Sequence, residues 1–130
     1  MESLTYIKNI KITPKKLRMI RDLVVRMSPQ DALDHLLYTT SKASKIYYKA
    51  IHSAVSNATQ SFKVSPDMLQ FKLLNIEEGR TLKRFHAGSK GMAKPIKKSF
   101  SHIKIILESV QEKSKTKHIE QQKKIAKLQK

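Results

Sequence analysis

Arg80, Lys83, Arg84, His86, Lys90, Lys94, Lys97 and Lys98 follow one another between Gly79 and Ser101 with no carboxylate among them, and His102 lies just beyond. Cations at that density do one kind of chemistry well. They neutralise phosphates and displace condensed counterions, and six to ten such contacts change affinity by roughly 10³ to 10⁵ between low and moderate salt. A second cluster, Lys8, Lys11, Lys15, Lys16, Arg18 and Arg21, lies near the start of the chain. Lys42, Lys45 and Lys49, with His52, form a third set at helical spacing that reads equally as a solvated face or a contact surface.

Other chemistries find less to work with. Gly88-Ser89-Lys90-Gly91 fits the GxxG loop with which KH domains clamp a nucleic-acid backbone, but that loop joins two helices, and Pro95 opposes a helix here. Nor is the segment a phosphate-binding P-loop, because Lys94 is followed by proline rather than Ser or Thr. Asp31, Asp34 and His35 read as partners of a helix macrodipole rather than metal ligands. The five histidines show no ligand spacing, and without cysteine no zinc set can be completed. His86 and His102 are therefore assigned to the basic surface. With no Ser, Lys or carboxylate pair in a catalytic setting, neither an enzyme nor a cofactor is expected.

The whole chain agrees with its clusters. Lys and Arg number 27 against 10 acids, a net charge of +17 over 130 residues, so the protein repels itself until a polyanion neutralises it. A nucleic acid is the expected partner. The absence of cysteine fits a reducing compartment, best the cytosol, and apolar runs no longer than three residues fit neither a membrane span nor a secretory signal. A membrane-surface role would need large apolar residues opposite a basic helix face, where the third helix has alanines.

The elements that must hold these cations can be read from periodicity. Leu4 to Ile12 alternates as a strand. Thr13-Pro14 then starts a helix carrying Leu17, Ile20 and Val24, and Ser28-Pro29 starts a second of about two turns. From Thr40 onward Ala43, Ile46, Tyr47, Ala50, Ile51, Ala54, Val55 and Ala58 mark a third helix, whose four alanines allow close packing. Leu69, Phe71 and Leu73 alternate, then the phase slips to Leu74 and Ile76, which predicts a strand with a bulge. The basic run has too few apolar residues for a core. With turn residues Gly88, Ser89, Lys90 and Gly91 at its middle, and Ile103, Ile105 and Leu107 at its far end, it reads as a hairpin over about 79–102. Arms of roughly ten residues at ~3.3 Å each would carry its tip about 30 Å from the body. Residues 1–109 form the expected nucleic-acid-binding domain, and 110–130 a Lys-rich tail outside the core.

An ordered set of residues carries a resemblance. Thr13, Lys16, Arg18 and Asp22, then Ala32-Leu33-Asp34, Leu36, Tyr38-Thr39, Lys42-Ala43, Ser53-Ala54, Asn57-Ala58, Glu78-Gly79, Leu82-Lys83-Arg84 and Ser101-His102-Ile103 resemble the bacterial-type ribosomal protein family L twenty-two over residues 4–109. The resemblance implies an α+β fold, with three helices packed on a small three-stranded antiparallel sheet and a long protruding basic β-hairpin. It implies a structural component of the large ribosomal subunit that binds large-subunit ribosomal RNA, aids its assembly and lines the peptide exit tunnel. The implied partners are that RNA, neighbouring large-subunit proteins including the other protein at the tunnel constriction, and transiently the nascent peptide, with no membrane. In these terms Lys8, Lys11, Lys15, Lys16, Arg18, Arg21, Arg80, Lys83, Arg84, His86, Lys94, Lys97, Lys98 and His102 are expected to touch RNA, and Gly88, Ser89, Lys90 and Gly91 to form the tunnel tip. The sequence departs from the family pattern in three places. Val25-Arg26-Met27-Ser28-Pro29 stands where an Arg-Gly junction is usual, the tip lacks the usual bulky, Arg-bearing segment, and the tail is an extension. A DNA-bending protein with basic β-arms is the alternative, but it would need an apolar or proline wedge at the tip, and Gly88-Ser89-Lys90 offers none.

Overall fold

A computed structural model describes residues 1–109 of the chain, so the expected tail lies outside the described residues. Strand β1 spans Glu2–Ile10, and helices α1, α2 and α3 span Pro14–Val24, Pro29–Tyr38 and Lys42–Phe62. Strands β2, Leu69–Ala87, and β3, Ala93–Ser109, complete the fold. The sheet is antiparallel in the order β1-β3-β2, with α1 and α3 packed on one face and α2 against α3. This is the α+β arrangement expected.

Central strand β3 shows why the layers adhere. Ser101, Ile103, Ile105 and Leu107 are buried while His102, Lys104, Ile106 and Glu108 between them are half-exposed, because successive side chains of a strand leave opposite faces. The buried set meets Tyr47, Ala50, Ile51, Ala54 and Ala58 of α3, Leu17 and Val24 of α1, and Leu36 of α2 in one core. Burying each large apolar side chain contributes about 1.5–3 kcal/mol. Inside this core the Tyr47 hydroxyl donates to the Leu17 carbonyl at 3.1 Å and joins α3 to α1.

Local signals set the helix ends. Ser28 Oγ accepts from the Asp31 amide at 3.1 Å, and Ser41 Oγ from that of Ser44 at 3.0 Å, satisfying donors the helices leave open. The turn between α1 and α2 closes without glycine by tightening, as the Arg26 and Met27 amides donate to the carbonyls of Leu23 and Val24. At ten residues α2 is nearer three turns than the two expected, and α3 begins at Lys42 rather than Thr40.

Two strand details differ from the periodicity reading. Strand β1 ends at Ile10 rather than Ile12, where the Ile12 amide turns back to the Ile10 carbonyl at 2.8 Å, and within it Asn9 takes a φ of 57°, which asparagine tolerates. Its inward side chain in the middle is Thr5, while Leu4 and Tyr6 stand on the exposed face, 59% and 38% accessible. The β2 phase slip is a bulge as expected: Phe71 pairs with Leu107 and Leu73 with the adjacent Ile106, so Lys72 is extra and its ammonium pairs with Glu2 of β1.

Two more irregularities share one level of β3. In β1 Ile7 pairs with Ile103 and Ile10 with Ser101; in β2 Glu78 pairs with Ser101 and Thr81 with Ser99. Each outer strand thus spends three residues where β3 spends two. Gly79 sits in the second of these, where a Cβ would lie 3.1 Å from both His102 Cε1 and the Phe100 carbonyl. Beyond this level β2 and β3 leave the body as a two-stranded arm.

Candidate nucleic-acid interface

The arm is paired from Thr81↔Ser99 to Ala87↔Ala93, and nearly all its side chains are exposed. Lys83 stands directly opposite Lys97, and His86 opposite Lys94. Like charges facing across a ladder, as Lys83 and Lys97 do, oppose pairing unless an anion lies between or beside them. Opposed residues share a face, so Leu82, Arg84, His86, Lys94, Ile96 and Lys98 occupy one side and Lys83, Phe85, Ala87, Ala93, Pro95 and Lys97 the other. The Arg80 guanidinium lies 5.3 Å from the centre of the Phe100 ring, and Arg84 donates to the Lys83 carbonyl at 2.8 Å.

At the tip Gly88, Ser89, Lys90 and Gly91 make a tight reversal. The Gly88 amide donates to the Met92 carbonyl, the Met92 amide donates back to that of Ser89, and Lys90 and Gly91 take φ of 54° and 72°. Phe85 and Met92 close behind it are 77% and 68% exposed. Gly88-Ser89-Lys90 itself offers no apolar wedge, and the exposed large apolar side chains nearest it are these two.

The first cluster divides. Lys11 and Lys16 turn toward the root of the arm, where with Lys42, Lys97 and Lys98 they line a groove of about 660 Å³. Its apolar lining comes from Ile12, Met19, Ile20, Ala43 and Phe100, and no acid is among its lining residues. Ser101 fixes the nearby crossing, its buried hydroxyl donating to the Ile12 carbonyl at 2.9 Å. Lys15 is exposed outside the groove, and Lys8 lies with its ammonium 5.3 Å from the Tyr6 ring centre. Arg18 pairs with Glu78 at 3.7 Å, and Arg21 holds Asp22 through two nitrogens at 2.9 and 2.7 Å. Arg21 is thus the expected site residue most occupied by its own chain.

His102 belongs to the sheet rather than the arm. Its Nδ1 accepts the Asn9 amide at 2.9 Å and its ring meets Tyr6 edge-on at 5.8 Å. With Nδ1 accepting, the neutral ring carries its proton on Nε2, a donor aimed away from that bond. Tyr6 in turn donates to Glu77 at 2.8 Å, and this bond holds its phenol above the usual tyrosine range.

Sequence reasoning missed the groove. By spacing alone Lys42 fits solvent and contact equally, and nothing in periodicity brings it beside Lys97 and Lys98. The only signal was that Ser41-Lys42 starts one helix and Thr13 another, each without an acid in its first turn. Among the described residues no three His, Cys, Asp or Glu side chains could jointly hold a metal, and no helix is long and apolar enough to cross a membrane.

A family model described as Ribosomal protein L22p/L17e matches residues 5–108. Among curated proteins, the large ribosomal subunit protein uL22 of Opitutus terrae is 36% identical over 107 residues, covering 82% of this chain and 95% of that relative. The protein of the same name from Mycoplasma mobile is 38% identical over 107 residues, covering 82% of this chain and 97% of its own length.

Proposed function

Because the chain belongs to the Ribosomal protein L22p/L17e family, we propose that it is a structural component of the large ribosomal subunit that binds large-subunit ribosomal RNA, aids its assembly, and lines the peptide exit tunnel with its arm. The observation that carries this reading is the convergence of Lys11, Lys16, Lys42, Lys97 and Lys98 on one groove at the root of an arm with no acid. An isolated two-stranded ribbon is marginal in water, and facing cations weaken it further. A phosphate backbone on both sides would neutralise the ladder and order it. Residues 1–109 are then the RNA-binding domain and the arm its reach, with Gly88, Ser89, Lys90 and Gly91 forming the part at the tunnel wall. Lys8, Lys15, Arg80, Lys83, Arg84, His86, Lys94 and the Nε2 of His102 extend the RNA surface; Arg18 and Arg21 contribute less while Glu78 and Asp22 hold them.

On this reading the partners are ribosomal RNA, neighbouring large-subunit proteins including the one across the tunnel constriction, and the passing nascent peptide. The place is the cytoplasmic ribosome, and neither catalysis nor a cofactor enters. Sucrose-gradient sedimentation of a tagged chain tests it: the tag should travel with large subunits and resist a moderate-salt wash. A tag that stays at the top of the gradient, or follows small subunits, would refute it.

Exposed Phe85 and Met92 beside the tip favour one second reading, a wedge inserted into a duplex by a DNA-bending arm. Retention on ribosomal RNA and on duplex DNA at equal salt separates the two, since a bending protein would hold the DNA at least as tightly.

A further inference from the structure

Phosphates of a helix can be met by lysines on an open surface, so a recess with an apolar floor is more than phosphate binding needs. The groove at the arm root has such a floor: Ile12 and Phe100 are each 8% exposed and Ala43 6%, and Met19, 77% exposed, stands at its lip. Its volume of about 660 Å³ falls within the roughly 300–1,000 Å³ of small-ligand pockets. The lysines around it carry no acid among them, and α1 and α3 both begin at its edge with their partial positive ends unopposed.

A stacked duplex presents phosphates on a convex outside and keeps its bases within, so it cannot fill this recess. An unstacked nucleotide can. Its base offers two flat, weakly hydrated faces to apolar side chains, and its phosphate lies one sugar away, within reach of flexible lysines; sequence-specific RNA recognition ordinarily takes splayed bases of this kind. Met19 suits the contact, because its thioether is polarizable and adapts its shape to a ring. We infer that this groove takes one nucleotide turned out of its stack in a loop or bulge of the RNA, with the base on Ile12, Met19 and Phe100 and the phosphate among Lys16, Lys42 and Lys98. The inference rests on the RNA-binding reading above and adds that a single base is held there.

The test uses the full chain, transcribed large-subunit ribosomal RNA and a fully paired RNA duplex at the same salt. Met19→Ser removes apolar contact from an exposed position without altering charge, and circular dichroism checks that the fold is kept. It should weaken binding to ribosomal RNA about tenfold, leave the salt slope unchanged and leave duplex binding unchanged. Lys42→Gln should weaken both and make the slope shallower by about one. Ultraviolet irradiation of the wild-type complex should leave a nucleotide adduct on the peptide carrying Met19 or Phe100. If Met19→Ser changes neither affinity while Lys42→Gln lowers both, or if adducts fall only on the arm between Thr81 and Lys98, the groove holds backbone alone and the inference is overturned with the RNA-binding reading intact. A wild-type chain that binds neither RNA in a salt-dependent manner would overturn that reading and the inference with it.

Discussion

Replacing Lys15, Lys16 and Arg18 together by alanine isolates the body's share of binding. All three are exposed on the first turns of α1 and alanine favours a helix, so the fold should be kept. Lys16 lines the groove and Lys15 is exposed outside it, and among the described residues no acid pairs with either, so each counts as a full phosphate contact. Arg18 counts as less, because the Glu78 carboxylate 3.7 Å away repels the same phosphate. That pair is half-exposed on one side and largely exposed on the other, a geometry worth about 0–1 kcal/mol, so it lowers Arg18's share without cancelling it. Each full contact contributes roughly 0.7–0.9 to the slope of log affinity against log salt, so the triple variant should be shallower by about two. With the electrostatic term vanishing near ~1 M salt, that slope change lowers affinity at ~0.15 M by about 40-fold, or ~2 kcal/mol. Filter binding of the full chain to large-subunit ribosomal RNA, titrated from about 0.1 to about 0.5 M potassium chloride, reads both numbers. An unchanged slope would show that these three residues face solvent and that other cations hold the RNA.

Three further outcomes follow from the geometry. Burial raises the Tyr47 phenol well above the usual tyrosine range, and a proton held more tightly in the folded state stabilises it fully below the unfolded value near ~10 and is lost as pH rises beyond it; stability should therefore fall above about pH 10, and Tyr47→Phe should flatten that fall in urea melts while costing about 1 kcal/mol at neutral pH for the lost bond to Leu17. Amide exchange should be fast from Thr81 to Ser99 in the unbound chain and slow in α3 and at Ile103–Leu107, with the arm protected only on RNA; an arm already protected alone would contradict its dependence on a polyanion. Deleting Gly88 to Lys90 removes one cation of 27, so large-subunit incorporation should be nearly intact while stalling by nascent chains, or sensitivity to tunnel-binding drugs, changes; failure to assemble, with the α1 triple variant assembling normally, would reverse the roles of anchor and probe.

What the sequence disclosed was whatever depends on near neighbours. Period, caps and phase reveal three helices, a bulge in β2 and the arm, because each is decided within a few residues, though the bulge falls at Lys72 and leaves Leu73 exposed rather than in phase with Phe71. Strand β1 is less legible: Leu4 and Tyr6 suggest an inward face by their type, yet register on β3 places Thr5 inward, and a turn from Ile12 back to Ile10 ends the strand early. The groove was illegible for a stronger reason. Its lysines come from residues 11 and 16, from 42, and from 97 and 98, and only the packing of α1 and α3 against β3 unites them. Charge runs gave the sign of the partner; tertiary contact gave the shape it meets.

The matched insertions flanking Ser101 make the arm's orientation a matter of counting. Each outer strand carries one residue more than β3 at that level, and a count changes only in whole steps. Exchanging side chains along the ladder leaves it untouched, so the arm can trade Arg for Lys, or one tip for another, and keep its heading. Losing Arg80 would be different: it would make the two counts equal and remove the bulge that bends β2 there, leaving the pairs beyond it as they are but changing the direction in which they leave the body. The arm is thus tolerant of substitution and brittle to deletion at its root, and a single missing codon there would do what no single replacement can.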